Sequence, residues 1–368
     1  MNISFRNTVD PILGLRYFAA LSVMLLHFSG YWFDIHGRVT DIAPVLYLIR
    51  NVTLMFPGVV IFFSLSGFFV TGSLDRLMEQ SVSYRRAFTA FMKKRVLRIY
   101  PALWLNTLFN LLILIFAGNF RIGSRDVAVW FFVQLLGISS TPNSLKSFAT
   151  GSVNGALWTV FVQMQFYLLL ACIYPAVKKK SKPLLACLLA ASLLVNIILG
   201  NIAGNGSVGA AGKLIERSFL PYAVWFLAGA ACRLIRDELF ERYSAQRLLT
   251  VFVIVYCFIG TGIRMAGIPI PGYYADAVTG TSVSLMTGLF CICFSGNHGS
   301  RKNSVPDISY ELFLYHWIVL NILVTAETMS GAWIPALALF LALSFALSTA
   351  AYFILGQLWL FLRSIRSR

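Results

Sequence analysis

Residues 11–33 decide the fold of this chain, and they read PILGLRYFAALSVMLLHFSGYWF. The stretch is long enough to cross a bilayer, since a transmembrane helix needs about 20 predominantly apolar residues. The rest of the chain has the same character, because 58% of its 368 residues are hydrophobic and only 12% are charged. A soluble domain has about 25% charged residues. The composition therefore excludes a soluble enzyme, a disordered chain and a disulfide-stapled secreted module, and it predicts an all-α polytopic membrane protein.

Ten apolar runs of this kind predict about ten transmembrane helices, with both termini in the cytoplasm. In that arrangement 21 of the 30 Lys and Arg residues lie in cytoplasmic segments and eight in outer segments. Cytoplasmic loops of membrane proteins are enriched in Lys and Arg, so the distribution indicates this orientation. We expect residues 1–368 to form one membrane-embedded domain without a soluble domain. The runs lie near residues 11–33, 56–74, 99–117, 156–176, 183–202, 219–235, 248–264, 275–295, 310–327 and 333–362.

One further apolar run, residues 127–138, is too short to cross a bilayer. Counting it as a span would also move the basic stretch at residues 178–182 to the outside. We therefore expect residues 118–155 to form a long outer loop with an interfacial or re-entrant helix. The aromatic residues at 130–132 suit a membrane interface, and loops of this length are usually functional.

The net charge of +16 has a simple explanation in a membrane protein. In a soluble protein such an excess would indicate nucleic acid, but here it follows from the basic cytoplasmic loops, and no nucleic-acid partner is predicted. The cysteines all fall in apolar runs, where they behave as small hydrophobic residues. Neither a disulfide nor a metal site is predicted. The cysteines are Cys172, Cys187, Cys232, Cys257, Cys291 and Cys293.

Two ionisable residues, Arg16 and His27, lie inside the first predicted span. An ionisable group in a span costs a few kcal/mol and marks a functional site by default. Eleven residues correspond to three helical turns plus about 20°, so the two side chains share one face and stand about 16 Å apart along the axis. Each also has a structural alternative. His27 could be a buried histidine bonded to a neighbour, and Arg16 could extend its guanidinium to the inner interface.

A basic cluster precedes the third span, in the segment between the second and third spans that we expect to be a cytoplasmic loop. Lys94 and Arg98, and likewise Arg95 and Arg98, have the spacing of one helical face. Guanidinium groups clustered at the membrane entrance suit a phosphate-bearing ligand. The enrichment of basic residues in cytoplasmic loops accounts for many of these charges without a ligand.

Polar residues in three other spans are further candidates. Gln163 and Gln165 lie in the fourth span, where at least one of them should face a polar interior. His316 lies at about mid-leaflet depth in the ninth span, and Glu311 lies near its inner end. In the second span Ser66 belongs to a group of small residues that allows close approach of helices.

Five motifs together resemble the acyltransferase-3 family. They are Arg16 and His27 separated by ten residues, the segments 58–68, 95–101 and 157–167, and the segment from Ser309 to His316. The family comprises integral-membrane acyltransferases that modify extracytoplasmic sugars, and the resemblance covers nearly the whole chain. The chain is similar to the single-part acetyltransferases that act on exopolysaccharide, lipopolysaccharide or nodulation-factor sugars, which implies a location in the bacterial inner membrane.

The resemblance implies an acyl-CoA donor, acetyl-CoA, on the cytoplasmic side and a carbohydrate or glycolipid acceptor outside, in contact with membrane lipids. It implies that Arg16 and His27 are essential, and that Arg95 and Arg98, with Lys94 beside them, belong to the donor end. The chain departs from the family at one position. Members usually have Glu where this chain has Gln163, so proton chemistry at that position is in doubt.

Acyl transfer from a thioester to a hydroxyl needs a base and hydrogen-bond donors for a tetrahedral oxyanion. We assign His27 as the base near the outer face. Arg16 lies too far along the helix to reach the same carbonyl, so we assign it to holding the donor or gating its access. An acyl-histidine intermediate stays open. Candidates for substrate or oxyanion contacts are Gln163, Tyr167, Ser66 and His316.

Two other classes of protein stay open at this point. A transporter or flippase for an anionic or glycolipid substrate would line its path with Arg16 and His27, and a membrane scaffold or sensor is a third possibility. The sequence contains no pair of Gly- or Pro-broken spans at matching places in two halves, which disfavours an inverted-repeat transporter. The basic cluster beside an intramembrane Arg–His face favours the enzyme. The sequence does not indicate an oligomeric state.

Overall fold

The computed structural model describes residues 10–37, 43–116, 124–179, 181–204, 210–242, 244–295 and 305–366. These ranges contain α-helices, short 3-10 turns and no strand, so the all-α prediction is confirmed. The described ranges hold fourteen α-helices: α1 (Pro11–His36), α2 (Pro44–Met55), α3 (Gly58–Gln80), α4 (Tyr84–Phe116), α5 (Arg125–Leu135), α6 (Trp158–Lys179), α7 (Ser181–Gly204), α8 (Ala210–Glu216), α9 (Ala223–Leu234), α10 (Arg236–Arg242), α11 (Ala245–Met265), α12 (Ala277–Phe294), α13 (Ser309–Thr325) and α14 (Trp333–Arg366).

Eight helical segments in these ranges are long and apolar enough to cross a membrane, which makes the protein polytopic. The predicted spans at 219–235 and 310–327 form shorter helices. The apolar helix at 220–234 has 15 residues, and α13 has 17. The total of ten therefore stays a prediction. The cytoplasmic location of the termini also stays a prediction, and residues 1–9 and 367–368 lie outside the described ranges. The eight segments are Pro11–His36, Pro44–Gln80, Tyr84–Phe116, Trp158–Ala176, Lys182–Gly204, Ala245–Met265, Ala277–Phe294 and Trp333–Leu360.

The basic segment between the second and third predicted spans is helical and continuous with the third span, in agreement with the helical spacing of Lys94, Arg95 and Arg98. Helix α4 begins at Tyr84 and continues through Pro101 to Phe116. Its first half is rich in Lys, Arg and Ala, which are strong helix formers. The basic cluster therefore lies on the regular surface of a helix.

The helix α2 was not predicted. It precedes the second span and ends just before Pro57, which starts α3 with an extended backbone. In the predicted outer loop, the described residues form α5 and a 3-10 turn at Asn143–Leu145, whereas residues 117–123 lie outside the described ranges. Ser124 begins α5 as its N-cap by accepting a hydrogen bond from the amide of Val127. The position of this segment relative to the membrane stays a prediction.

The chain forms two compact units, each built from three separate stretches. Helices α1, α2, α4 and α6 contribute residues to both units. The prediction of one membrane-embedded domain stays a prediction. The first unit comprises Met1–Ala19, Leu54–Arg95 and Val162–Val305, and the second comprises Ala20–Thr53, Val96–Phe161 and Pro306–Arg368.

Close contact between α3 and α9 forms the centre of the first unit. A side chain at Gly67 would collide with the carbonyl of Phe226, and one at Gly229 would collide with the backbone of Ser64. Two helices can approach this closely only where both present small residues. The hydroxyl of Ser64 also donates to the carbonyl of Ser284 at 2.6 Å, which joins α12 to the pair.

The helix α13 is the most buried element of the second unit, and twelve of its 17 residues are buried. Asn106 on α4 and Asn154 in the loop before α6 both donate to the carbonyl of Leu314 in α13, at 2.9 and 3.0 Å. The Nδ2 group of Asn154 also lies 3.1 Å from Oδ1 of Asn106. These bonds hold the middle turn of α13 by its backbone.

Candidate active site

A hydrogen-bonded pair of histidines lies in the second unit. Nδ1 of His27 on α1 is 2.9 Å from Nε2 of His316 on α13, and the planes of the two rings differ by only 9°. His316 is fully buried, and its Nδ1 is 3.0 Å from the carbonyl oxygen of Leu312, one turn earlier. The structure thus brings together two residues that are 289 positions apart in the sequence.

The hydrogen bonds of this pair determine which ring nitrogens carry hydrogen. The carbonyl of Leu312 can only accept, so Nδ1 of His316 is the donor to it. Nε2 of a neutral His316 is then an acceptor, and Nδ1 of His27 donates to it. Nε2 of a neutral His27 consequently keeps its lone pair. A nitrogen of this kind, fixed in one tautomer, can take a proton from a hydroxyl group.

Trp317, the residue after His316, packs edge-on against the ring of His27, with 4.6 Å between ring centroids. Its indole Nε1 donates to the carbonyl of Ser152 at 3.1 Å and lies 3.2 Å from the hydroxyl of Thr150. A Cβ at Gly155 would lie 2.5 Å from the indole ring, so the loop at this residue needs glycine. The loop therefore positions Trp317, and Trp317 limits the rotation of His27.

The predicted donor residues Arg16 and Arg95 both contact α3 in the first unit. The guanidinium of Arg16 lies 5.5 Å from the ring centroid of Phe69, and Nη2 of Arg95 donates to the hydroxyl of Ser73 at 2.8 Å. Phe69 and Ser73 are four residues apart and therefore lie on one face of the helix. The guanidinium of Arg95 also lies 5.7 Å from the ring centroid of Tyr167.

Three of the predicted substrate or oxyanion residues, Ser66, Gln163 and Tyr167, form a hydrogen-bonded trio in the first unit. Nε2 of Gln163 donates to the hydroxyl of Tyr167 at 2.7 Å and to that of Ser66 at 3.0 Å, and the two hydroxyl oxygens are 3.3 Å apart. The amide supplies two hydrogens, and one hydroxyl can donate to the other. The trio therefore contains one hydroxyl hydrogen that none of its own members accepts.

Arg98 and Lys94 have different surroundings from Arg95. Both side chains are exposed. Arg98 belongs to the second unit and lines a cavity of about 570 Å³ together with Glu311, which is 8% exposed, and with Tyr352 and Trp359 of α14.

Two groups of site residues were missed by sequence reasoning. Asn106 and Asn154 are buried polar residues within or beside predicted spans, and the rule that drew attention to Gln163 applies to them as well. Arg233 contacts α3 near the residues that hold Arg16 and Arg95. Its position at the predicted cytoplasmic end of a span made it look like an ordinary basic loop residue. Within the described ranges, no group of three or more His, Cys, Asp or Glu side chains is arranged to hold a metal ion.

Comparison with known proteins identifies the family. The profile of the acyltransferase domain matches residues 12–353. The chain is 27% identical to Nodulation protein 10 of Rhizobium leguminosarum bv. viciae over 354 residues, which cover 89% of this chain and 87% of that protein. No solved structure gives a significant match. Since the family profile covers nearly the whole chain, the protein belongs to the acyltransferase-3 family and is an integral-membrane acyltransferase.

Proposed function

We propose that this enzyme moves an acetyl group from acetyl-CoA on the cytoplasmic side to a hydroxyl of an extracytoplasmic or lipid-linked carbohydrate. The observation that carries the proposal is the series of two hydrogen bonds that links the carbonyl of Leu312 to His316 and His316 to His27. These bonds leave Nε2 of His27 as a proton acceptor. Oxygen nucleophiles at neutral pH need such a base when they attack an acyl group.

The proposed reaction runs in two steps. Nε2 of His27 removes the proton from the sugar hydroxyl while the hydroxyl oxygen attacks the thioester carbonyl carbon. The tetrahedral intermediate then collapses, the carbon–sulfur bond breaks, and the coenzyme A thiolate takes the proton from the His27 imidazolium. The products are an acetyl ester and a free thiol. His316 is a positioning residue, which holds the tautomer of His27 and accepts the hydrogen bond of the imidazolium.

We assign the donor phosphates to the first unit. Arg16 and Arg95 provide guanidinium groups that suit phosphate oxygens, and both are held against α3 by contacts with Phe69 and Ser73. Lys94 and Arg98 add positive charge on the same helix as Arg95. Their exposure gives them a weaker role, because exposed charges contribute little to the energy of a contact.

The trio of Ser66, Gln163 and Tyr167 is assigned to a contact with the donor, because the guanidinium of Arg95 lies against the ring of Tyr167. The trio's remaining hydroxyl hydrogen can be donated to an oxygen of the bound donor. The glutamate usual in the family would accept from both hydroxyls, whereas Gln163 donates to them. The amide thus favours hydrogen-bond donation at this position over proton transfer.

The acceptor class rests on the family and on a relative whose name refers to nodulation. We propose an exopolysaccharide, lipopolysaccharide or nodulation-factor sugar, modified at the bacterial inner membrane. Mass spectrometry of surface glycans with and without the gene would identify the acetylated sugar. Unchanged acetylation of every glycan would contradict the proposal.

The reaction itself is tested with purified protein in nanodiscs, acetyl-CoA and the glycan fraction of a strain that lacks the gene. We expect free thiol to be released only when the glycan is present, with acetyl label transferred to it. Transport of labelled glycan across a vesicle membrane without thiol release would support a flippase instead.

The orientation is tested in a variant without native cysteines. A cysteine at Ser140 should react with an impermeant thiol reagent added to whole spheroplasts, and a cysteine at Lys182 should react only after lysis. The reverse pattern would invert the proposed sides of donor and acceptor.

A further inference from the structure

Arg233, in the last turn of α9, lies directly against the backbone of α3. Its guanidinium is 5.9 Å from the ring centroid of Phe68. A Cβ at Gly72 would lie only 2.6 Å from Nε of Arg233. The absence of a side chain at Gly72 therefore makes room for this guanidinium.

Three arginines from three different helices meet α3 within two of its turns. Arg16 of α1 contacts Phe69, Arg95 of α4 contacts Ser73, and Arg233 of α9 contacts Phe68 and Gly72. At 100° per residue, the four contacted positions cover an arc of about 140°, and they span about 7.5 Å along the axis. All these residues belong to the first unit.

Asp75, one of two acidic residues on α3, is already engaged. Oδ1 of Asp75 accepts from the hydroxyl of Tyr174 at 2.5 Å and from Nζ of Lys178 at 2.6 Å. Among the three arginines, Arg233 also lies within electrostatic range of this carboxylate. The three arginines approach one stretch of α3, and a multivalent anion is attracted to several positive charges at once.

We propose that Arg233 is a third phosphate-binding residue, which together with Arg16 and Arg95 forms a cradle for the pyrophosphate and the 3′-phosphate of coenzyme A. This inference rests on the proposed use of acetyl-CoA. Three guanidiniums on one arc match three phosphoryl groups better than they match a single phosphate, and each guanidinium can bind phosphate oxygens in a bidentate manner. Gly72 is the positioning residue that lets Arg233 reach the cradle.

The test measures the Kd of coenzyme A directly, with the purified full chain in phosphatidylcholine nanodiscs. Arg233→Gln should weaken binding by about 10- to 100-fold, the range for one charge-assisted contact. The matched control is Arg76→Gln, which removes an exposed arginine from the same helix α3 and should change the Kd by less than about fivefold. Equal effects of the two variants would overturn the inference.

A second variant covers the case in which Arg233→Gln does not fold. Gly72→Ala keeps every charge but displaces the guanidinium of Arg233, so it should also weaken coenzyme A binding. The KM of the phosphate-free donor S-acetylpantetheine should stay unchanged in both variants. An equal loss with S-acetylpantetheine would overturn the inference by showing a structural role.

Two further outcomes separate this inference from its alternatives. If the wild-type protein does not bind coenzyme A at all, the proposed donor is wrong and the inference fails with it. If wild-type binding is normal and Arg233→Gln changes only the response to added phosphatidylglycerol, Arg233 binds a lipid phosphate and the inference is overturned while the proposed function stands.

Discussion

The histidine pair and the arginine cradle differ in the contacts that hold them. His27 is fixed through hydrogen bonds, in a chain that ends on the backbone carbonyl of Leu312. In the cradle, Arg95 donates to the hydroxyl of Ser73, and Arg16 and Arg233 lie against the aromatic rings of Phe69 and Phe68. A hydrogen bond specifies which atom carries a proton, whereas contact with an aromatic face places a charge without specifying one donor.

The difference follows from the chemistry that each region has to perform. A base needs one lone pair in one direction, so its tautomer must be fixed. A site for several phosphates needs positive charge whose N–H groups can adjust to the ligand. Each of the following predictions sharpens or breaks this comparison, in order of decreasing effect on acyl transfer.

The largest effect is expected for His27→Gln. Glutamine keeps hydrogen-bonding groups at the position but cannot take up a proton, so acyl transfer should fall by about 10²–10⁴-fold, the usual contribution of a general base. Coenzyme A binding and the amount of protein in the membrane should stay normal. Retention of most of the transfer activity would make His27 a structural histidine.

The second-largest effect on acyl transfer is expected for variants of His316, because His316 fixes the tautomer of His27. His316→Leu removes the acceptor for Nδ1 of His27 and should lower kcat by about 10- to 100-fold, the range for a group that orients a metal-bound imidazole through its second nitrogen. His316→Gln offers an oxygen in place of Nε2 and should recover part of that loss. If the two variants are equally impaired at equal abundance, His316 acts by packing alone.

A smaller effect on the overall rate is expected for Arg95 and Arg98 of α4. The change should appear in the KM for the acyl donor. Arg95→Gln should raise the KM for acetyl-CoA by about 10- to 100-fold, because Arg95 is held by Ser73 and Tyr167. Arg98→Gln should raise it by no more than about fivefold, because this side chain is exposed. The opposite order would move the donor phosphates from the cradle to the cavity beside Glu311.

The smallest effect on activity is expected for Asn154→Ala. It removes a buried amide that bonds to Leu314 and Asn106, so the free energy of unfolding should fall by about 1–3 kcal/mol. The matched control is Asn51→Ala, which removes an exposed amide bonded only within α2 and should change it by at most about 0.5 kcal/mol. Unfolding of the purified variants by denaturant provides the measurement, and equal stability of both variants would remove Asn154 from the network that supports α13.

Much of the fold could be predicted because a transmembrane helix is a local property of the chain. Ten apolar runs were predicted, and each coincides with a helix or a helical segment of the structure. Helix α2 and the first half of helix α4 could not be predicted in this way, since neither is a long apolar run. Their helical form depends on residue propensity and on contacts with the rest of the chain.

The sequence by itself determined that this protein is an all-α membrane protein and that Arg16 and His27 share a face of the first helix, because helical periodicity acts over neighbouring residues. Only the tertiary structure decided that His316 holds His27 in one tautomer, and that Arg233 reaches α3 through the space at Gly72. Those contacts join residues more than 150 positions apart, and they depend on how closely particular helices pack. No local pattern of apolar and polar residues specifies that distance.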